Sequence, residues 1–460
     1  MTSGRGLLPL PNVAKWQEQF ARQPFARRRY LLAVVGLVLL YLGYVNTWRL
    51  TADIPPDYRA WHEFELALPQ NNPDLAYPQG KAGKYVRVSN HVTKLGWGNH
   101  IQEMIMNAHM TFESGRTFVF YNWTWDPNTR YHYTTFGSHY SPARIPITAY
   151  VEGPIAGGPF PDQHNVSPAV SWEFFDQVCP NPARIDVDPN SGPLAWASAR
   201  TISNHYAEQI RNIDNHCVEF VSKQDKPIFD YILFGDGGRL SDVWEELIMS
   251  PIVTEWKWSP LVMSIAEQNR DLIHPALETG ASQHASLPGL IALHIRRGDY
   301  PNHCKYLRKH HAPFHGFNQR SDFADHYPLP PDERWAAESQ SYYDTHCIPD
   351  TSKMVEKVMQ VRSAHTGQGT LDRVYILTNG DRAWLREFED ALRARATWAS
   401  IHSSRDLALN LEQKFVAQAA DMMVATRAEV FVGNGFSSLT STVNLLRVAQ
   451  RRSPHTTRFW

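Results

Sequence analysis

A short segment in the second half of the chain, GLIALHIRRGDY, ends in residues whose types suit a phosphate ligand. An apolar run leads to His294, Arg296 and Arg297, with Gly298 and Asp299 directly after them. Arginine guanidinium groups bind phosphate oxygens bidentately, and a glycine allows a ligand to approach the backbone closely. The segment is therefore a candidate phosphate site, although an ordinary strand end with solvated charges would have the same composition.

Two predicted strands would bring such residues to one edge of a sheet. The apolar run before His294 is typical of a buried strand in a parallel sheet, and open α/β sheets bind ligands beyond the carboxyl ends of their strands. Glu429–Val432 is a second such strand, followed by GNGFSS and a helix over 438–450. Ser437 or Ser438 can cap that helix and offer hydroxyl groups to a phosphate. Helix capping alone would explain these serines equally well.

The first half of the chain contains a strand, a glycine loop, a helix and a strand in succession. Residues 84–90 and 117–121 have strand patterns, and apolar residues between 101 and 112 recur at helical spacing. The loop at 95–100, LGWGNH, would present backbone N–H groups and a helix N-terminus to an anion. A tight turn without a ligand is an equally good interpretation of this loop.

The remaining pattern predicts two α/β domains. A strand at 228–234 and helices at 243–250 and 259–277 lead to a domain boundary near 279–286. Beyond residue 352, helices and strands alternate, which predicts a second doubly wound parallel sheet. Residues 301–349 contain six histidines without a metal-ligand spacing. We interpret them as a surface loop or as a flap over the substrate.

Composition limits the class of protein. The 45 Lys and Arg residues balance 46 Asp and Glu residues, which argues against nucleic-acid binding through a global positive field. No C-x-x-C pair occurs among the four cysteines, so a structural zinc site is not expected. In an oxidising compartment three disulfide connectivities are possible. We favour the sequence-local pairs Cys179 with Cys217 and Cys304 with Cys347, and free buried thiols are the alternative.

The N-terminal part predicts a membrane anchor. Residues 30–45 are uncharged and almost wholly apolar, and three arginines directly precede them. We therefore predict a cytoplasmic tail at 1–29, a single signal-anchor helix at 30–48 and a stem at 49–83. The remainder would be luminal, in the Golgi or the endoplasmic reticulum. A buried core helix is the alternative interpretation of the apolar run.

Three motifs carry a resemblance to a known family. LGWGNH at 95–100, HIRRGD at 294–299 and DMMVATRAEVFVGNGFSSLT at 421–440 resemble the motifs of the GDP-fucose protein O-fucosyltransferases and of their superfamily, which includes α1,6- and α1,2-fucosyltransferases. The resemblance implies a GT-B fold, in which two Rossmann-like, doubly wound domains face a cleft. The acceptor-side domain would span 84–280, and the nucleotide-sugar-binding domain would span 281–460.

The resemblance also implies which residues hold the donor. Arg296 matches the arginine that binds the β-phosphate of GDP-β-L-fucose and stabilises the departing diphosphate. Glu429 would read the guanine edge, and Asn99 would lie near the fucosyl group. The glycine loop lacks the glutamate that some members carry as a base, and Glu103 does not match its position, so no base is assigned. The full set of donor-binding positions is Gly98, Asn99, His294, Arg296, Asp299, Glu429, Ser437, Ser438 and Thr440.

The expected function is that of an inverting glycosyltransferase. It would move L-fucose from GDP-β-L-fucose to a hydroxyl group of a protein or glycan acceptor in the secretory pathway, without a metal or another cofactor. Two alternatives stay open: a GT-B transferase that uses another nucleotide sugar, and a non-catalytic luminal module that binds glycans or proteins.

Overall fold

A computed structural model describes most of the chain from residue 54 onwards and one segment before it. The described residues are 32–44, 54–136, 139–161, 166–187, 192–222, 226–278, 280, 282–365, 367 and 369–460. By internal contacts the chain divides into one unit of Met1–Ile54 with Thr135–Tyr140 and another of Pro55–Thr134 with Ser141–Trp460.

The predicted anchor falls only partly on described residues. Residues 32–44 form a helix, whereas residues 30, 31 and 45–48 and the predicted tail at 1–29 lie outside the described residues. No helix in the described ranges is long and apolar enough to cross a membrane.

The strands in chain order are β1 Tyr85–Val88, β2 Thr117–Phe118, β3 Trp123–Thr124, β4 Tyr133–Phe136, β5 His139–Pro142, β6 Arg144–Ile145, β7 Val151–Glu152, β8 Ala183–Asp186, β9 Cys217–Val221, β10 Lys257–Trp258, β11 Leu287–Ile295, β12 Arg373–Thr378, β13 Ser400–Ser403, β14 Ala428–Gly433 and β15 Thr457–Phe459.

From residue 55 onwards the α-helices are α1 Arg59–Leu66, α2 Trp97–Glu113, α3 Trp172–Val178, α4 Ala199–Arg211, α5 Tyr231–Gly235, α6 Gly237–Leu240, α7 Trp244–Leu247, α8 Pro251–Thr254, α9 Pro260–Gln268, α10 Arg270–Ile273, α11 Tyr300–Lys309, α12 Asp332–His346, α13 Thr351–Ser363, α14 Arg382–Arg395, α15 Leu411–Arg427 and α16 Ser438–Ala449.

Two parallel sheets dominate the larger unit. The first has the order β2-β1-β9-β8, and the second has the order β13-β12-β11-β14-β15. In the second sheet β11 is central, with His294 beside Leu377 of β12 and Leu293 beside Val432 of β14. The prediction of an α/β protein with parallel sheets is confirmed.

Strand β11 is buried on both faces, as its apolar run predicted. Ile291, Leu293 and Ile295 share one core cluster with the apolar residues of α13 and α14. Alternate side chains of a strand point to opposite faces, so Leu290 and Ala292 belong to the other cluster, together with residues of α15 and α16. His294 has the same parity as Ala292 and therefore points towards α16.

Several sequence-based expectations for local structure are wrong. The segment predicted as a strand at 228–234 contains the start of α5, because the side chain of Asp230 caps that helix by accepting from the backbone N–H groups of Ile232 and Leu233. Residues 301–349, expected to be a loop or flap, contain most of α11 and all of α12. By contrast, a short helix expected from the sequence around 58–68 of the stem is confirmed as α1. The buried Tyr58 at its start donates from its hydroxyl to the Glu412 carbonyl, so this segment is packed against the rest of the larger unit.

The predicted disulfide pairs are confirmed. Cys179 is bonded to Cys217, with their Cα atoms 5.7 Å apart, and Cys304 is bonded to Cys347, with their Cα atoms 6.0 Å apart. The first bond joins the end of α3 to β9, and the second joins α11 to the end of α12.

Candidate functional site

The order of strands in the second sheet defines a crevice. From central β11 the chain moves outwards through β12 and β13, and then returns to β14 on the other side of β11. The loops that follow β11 and β14 therefore lead in opposite directions, which leaves a gap at the carboxyl edge between these strands. Open α/β sheets bind ligands at such a switch point. The segments that follow these two strands are the predicted phosphate motifs.

His294 holds the end of β11 against α16. Its Nδ1 atom lies 2.8 Å from the hydroxyl of Thr440, and its carbonyl accepts a hydrogen bond of 2.8 Å from Nε1 of Trp460. Burial, followed by the charge of Arg296, lowers the pKa of His294 to about 3, so the imidazole is neutral at physiological pH. The structure thus brings two predicted site residues, His294 and Thr440, into contact with each other. This contact and the hydrogen bond from Trp460 hold the end of β11 in place.

Arg296, directly after β11, has a partly unpaired guanidinium group. Its Nη2 atom donates to both carboxylate oxygens of Asp299, at 3.2 and 3.3 Å, and its guanidinium carbon lies 4.8 Å from the ring centre of Tyr300. Its buried Nε has no hydrogen-bond partner among the described residues. A guanidinium carries five N–H donors, so donors remain for an anion after the contact with Asp299.

Arg297 has a different role from its neighbour. Its Nη2 donates to the Pro349 carbonyl at 2.7 Å, and its guanidinium lies 4.7 Å from the ring centre of Trp384. These contacts hold the side chain against the protein, although its buried Nε, like that of Arg296, has no hydrogen-bond partner among the described residues. Of the two adjacent arginines, Arg296 is therefore the candidate ligand for a phosphate.

Asn379, which was not among the predicted site residues, holds the turn that contains both arginines. Its Oδ1 accepts from the Arg297 backbone N–H at 2.7 Å, and its Nδ2 donates to Asp299 at 2.9 Å. Asn379 directly follows β12, the neighbour of β11, so its position at the same sheet edge was a usable sequence signal.

The segment after β14 supplies a helix N-terminus to the same crevice. Ser437 precedes α16, and its side chain makes no capping hydrogen bond. The first N–H groups of a helix have no partner within the helix and favour an anion. Asn318 fixes this segment by donating from Nδ2 to the carbonyls of Gly435 and Ser437, at 2.9 and 3.2 Å. Sequence reasoning missed Asn318 because it belongs to the segment expected to be a loop.

The glycine loop meets this helix directly. A Cβ atom on Gly98 would lie 2.3 Å from the Leu439 backbone nitrogen, so only glycine allows α2 to approach α16 this closely. Gln102 donates from Nε2 to the Ser438 carbonyl at 3.0 Å. Asn99, one residue beyond Gly98, is partly exposed, and its side chain has no hydrogen-bond partner in the described part of the chain. The structure thus brings Gly98 and Asn99 next to the start of α16.

Glu429 is not brought to this site. It lies near the start of β14, where Oε2 accepts from the Gly289 N–H at 2.5 Å and Oε1 lies 2.9 Å from Nε2 of His365. Four residues along the strand separate it from Gly433, a distance of roughly 13 Å. Its predicted contact with guanine would therefore have to occur at the opposite edge of the sheet from Arg296.

Glu103 is fully buried in α2. It accepts hydrogen bonds from the Tyr121 hydroxyl at 2.7 Å and from Asn107 Nδ2 at 2.5 Å. Burial outweighs these bonds and raises the pKa of Glu103 to about 8, so the carboxyl group is mainly protonated at neutral pH. Glu103 has no surface from which to deprotonate an acceptor, in accordance with its exclusion from the motif.

Part of the chain is similar to a known protein family. Residues 243–450 match the sequence model of a family described as GDP-fucose protein O-fucosyltransferase. That range contains Arg296, the turn after β11 and the whole of the segment after β14. No curated protein matches the chain.

Solved structures with similar folds are distant in sequence. POFUT1 in complex with GDP-fucose has a TM-score of 0.46 and 13% identity, covering 82% of this chain and 98% of that chain. Fucosyltransferase NodZ from Bradyrhizobium has a TM-score of 0.38 and 12% identity, covering 79% and 92%. A mutant of Arabidopsis thaliana FUT1 in complex with GDP has a TM-score of 0.35 and 9% identity, covering 84% and 72%.

The protein is an α/β protein with a candidate anion site at the switch point of its second parallel sheet, and the family match supports a glycosyltransferase. Residues 243–450, somewhat less than half of the chain, are similar to the GDP-fucose protein O-fucosyltransferase family.

Proposed function

We propose that this protein transfers L-fucose from GDP-β-L-fucose, with inversion, to a hydroxyl group of a protein or glycan acceptor. The observation that carries the proposal is the partly free Arg296 guanidinium at the switch point, inside the region that matches the family. A GT-B arrangement of two domains around a cleft is part of the same proposal.

In the proposed reaction the bond between the fucose anomeric carbon and the β-phosphate oxygen breaks, and the acceptor oxygen bonds to that carbon. Negative charge develops on the departing diphosphate, which Arg296 and the N–H groups at the start of α16 stabilise. Asp299 and Asn379 position Arg296 for this contact. The diphosphate takes the proton of the acceptor hydroxyl, because no carboxylate of the glycine loop is available as a base.

The reaction is proposed to proceed without a metal ion. Neutralisation of the leaving group is assigned to Arg296 and to the α16 N-terminus. Turnover should therefore be the same with and without excess EDTA in the assay buffer.

We also propose that the enzyme works on the luminal side of the secretory pathway, as a single-pass protein anchored by residues 30–48. Two disulfide bonds support an oxidising compartment. The apolar run with its basic flank supports the anchor. Detection of the C-terminal part only after membranes are permeabilised would test this orientation.

The central experiment measures transfer of labelled fucose by purified full-length protein to a panel of folded domains, unfolded peptides and glycans. We expect product with at least one acceptor class and none with Arg296→Ala. Near-normal transfer by that variant, at equal folded fraction, would remove the basis of the proposal.

A second candidate is transfer from another nucleotide sugar, and the position of Glu429 favours keeping it. The only residue predicted to read guanine lies at the other edge of the sheet. Calorimetric titration with GDP, UDP and ADP separates the two candidates. Tighter binding of UDP or ADP than of GDP would favour another nucleotide sugar over GDP-fucose as the donor.

A further inference from the structure

The imidazole of His303 and the guanidinium of Arg296 both pack on the ring of Tyr300. His303 lies one helical turn after Asp299 in α11, and its backbone N–H donates to the Asp299 carbonyl at 3.4 Å. Its ring centre is 5.1 Å from that of Tyr300, the ring on which the Arg296 guanidinium packs. The side chain is exposed and has no hydrogen-bond partner among the described residues. A ligand at Arg296 would therefore meet a free imidazole.

The surroundings keep this imidazole neutral in the unliganded protein. Desolvation by neighbouring atoms and the positive charge of Arg296 lower the pKa of His303, and the negative charge of Asp299 raises it. His315 is the other titratable imidazole nearby. Burial, followed by His303, lowers the pKa of His315 to about 4, so it is neutral as well. The rings of Tyr300 and Tyr306 also contact His303, with ring centres 5.1 and 6.4 Å away.

We propose that His303 is a second ligand of the donor diphosphate and that it takes up a proton when the diphosphate binds at Arg296. The inference rests on the proposed function, since it requires an anionic donor at Arg296. The diphosphate reverses the local potential: before binding the nearest cation repels a proton from His303, and afterwards the added negative charge attracts one. The resulting imidazolium donates to a phosphate oxygen and adds a positive charge beside the leaving group.

Proton uptake can be measured without turnover. GDP-fucose is titrated calorimetrically into the full-length protein in two buffers with different ionisation enthalpies, at several pH values. The sugar ester is used because a free terminal phosphate titrates near pH 6 itself, whereas the esterified diphosphate does not. The difference in heat between the buffers gives the number of protons taken up.

We expect uptake of a fraction of a proton per GDP-fucose bound near neutral pH. Because the complex holds more protons than the free protein, affinity should fall as pH rises from 6 to 8. The total loss is about tenfold for each unit by which binding raises the pKa of His303. His303→Gln should abolish the uptake and flatten this pH dependence. His310→Gln, at the C-cap residue of α11 and seven positions beyond His303, should behave like the unmodified protein.

The possible failures are distinguishable. If GDP-fucose binds to none of the proteins, the proposed function is refuted and the inference falls with it. If it binds without proton uptake, or if uptake persists in His303→Gln, the inference is refuted while the donor assignment stands. A thermal midpoint close to that of the unmodified protein confirms that His303→Gln, an exposed polar replacement, is folded.

Discussion

The adjacent arginines after β11 allow chemistry to be separated from stability. In Arg296→Ala the protein loses one ion pair, whose side chains are 28% and 69% exposed, and the packing of the guanidinium on Tyr300. A pair that is screened to this extent contributes at most about 1 kcal/mol, and a cation–π contact at a partly exposed site contributes about 0.5–1 kcal/mol. The thermal midpoint should therefore fall by no more than about 4–8 °C, because each 1 kcal/mol lowers it by about 2–4 °C in a domain of 150–250 residues.

The catalytic loss in Arg296→Ala should be much larger. Removal of one preorganised donor from a developing oxyanion typically costs about 10²–10³-fold in kcat, or about 2.7–4 kcal/mol. Arg296→Lys keeps the charge but not the planar fork, so its turnover should lie between those of the alanine variant and the unmodified protein.

Arg297→Ala is the matched control. It leaves the Pro349 carbonyl without its donor and removes the packing on Trp384, which should destabilise the fold by about 1–3 kcal/mol. The folded fraction should retain most of its turnover. Transfer of labelled fucose at saturating donor, together with thermal unfolding, measures both effects. Near-normal turnover in Arg296→Ala, or an equal loss in folded Arg297→Ala, would refute the assignment of roles.

Three further predictions concern a buried hydrogen bond, a buried carboxyl group and the disulfide bonds. Thr440→Val leaves Nδ1 of the buried His294 unpaired and should cost about 1–3 kcal/mol in urea unfolding; an unchanged midpoint would contradict the role of this bond. The pKa of Glu103 rises from an ordinary 4.5 to about 8 on folding. At a pH between these two pKa values, unfolding therefore releases the proton of Glu103. The contribution of Glu103 to stability falls as pH rises from about 5 to 8. Glu103→Gln should remove this pH dependence from the free energy of unfolding. Replacement of Cys304 and Cys347 by serine should cost about 2–4 kcal/mol and weaken GDP binding, because Asn434 after β14 donates to the Cys347 carbonyl at 2.7 Å. The same replacement at Cys179 and Cys217 should lower stability without a comparable loss of GDP affinity, and equal losses of affinity in both would argue against this coupling.

Local sequence patterns predicted much of the fold. The apolar run of β11, the helical spacing in α2 and the sequence-local cysteine pairs each predicted what the structure contains. Strands β8 and β9 were missed because sheet pairing stabilises short strands whose own pattern is weak. Helix α11 was missed because it is polar, with only Tyr300 and Cys304 buried. Tertiary contacts and the disulfide bond hold it in place.

The sequence predicts which residues of the candidate site lie together only when the direction of each strand is taken into account. In a parallel sheet, residues that follow a strand and residues that begin it lie at opposite edges. Arg296 follows β11 and Ser437 follows β14, so their proximity could be expected. Glu429 belongs to the same motif as Ser437 but lies near the start of β14. Resemblance to a motif does not specify at which edge of the sheet a residue lies. Asn318 is distant in sequence from both motifs and required the tertiary structure.

The contact between α2 and α16 links the two sheets at the proposed donor site. With a Gly98 Cβ only 2.3 Å from the Leu439 nitrogen, any side chain would displace the first turn of α16. Gln102 strengthens the contact by donating to the Ser438 carbonyl, and Thr442 donates to the Gly98 carbonyl at 3.1 Å. Because these contacts hold the start of α16, the geometry of the proposed anion site depends on elements of the first sheet as much as on those of the second. We therefore expect Gly98, whose loop resembles a phosphate loop in sequence, to contribute through packing, and the proposed phosphate contacts are assigned to Arg296 and the helix that Gly98 adjoins.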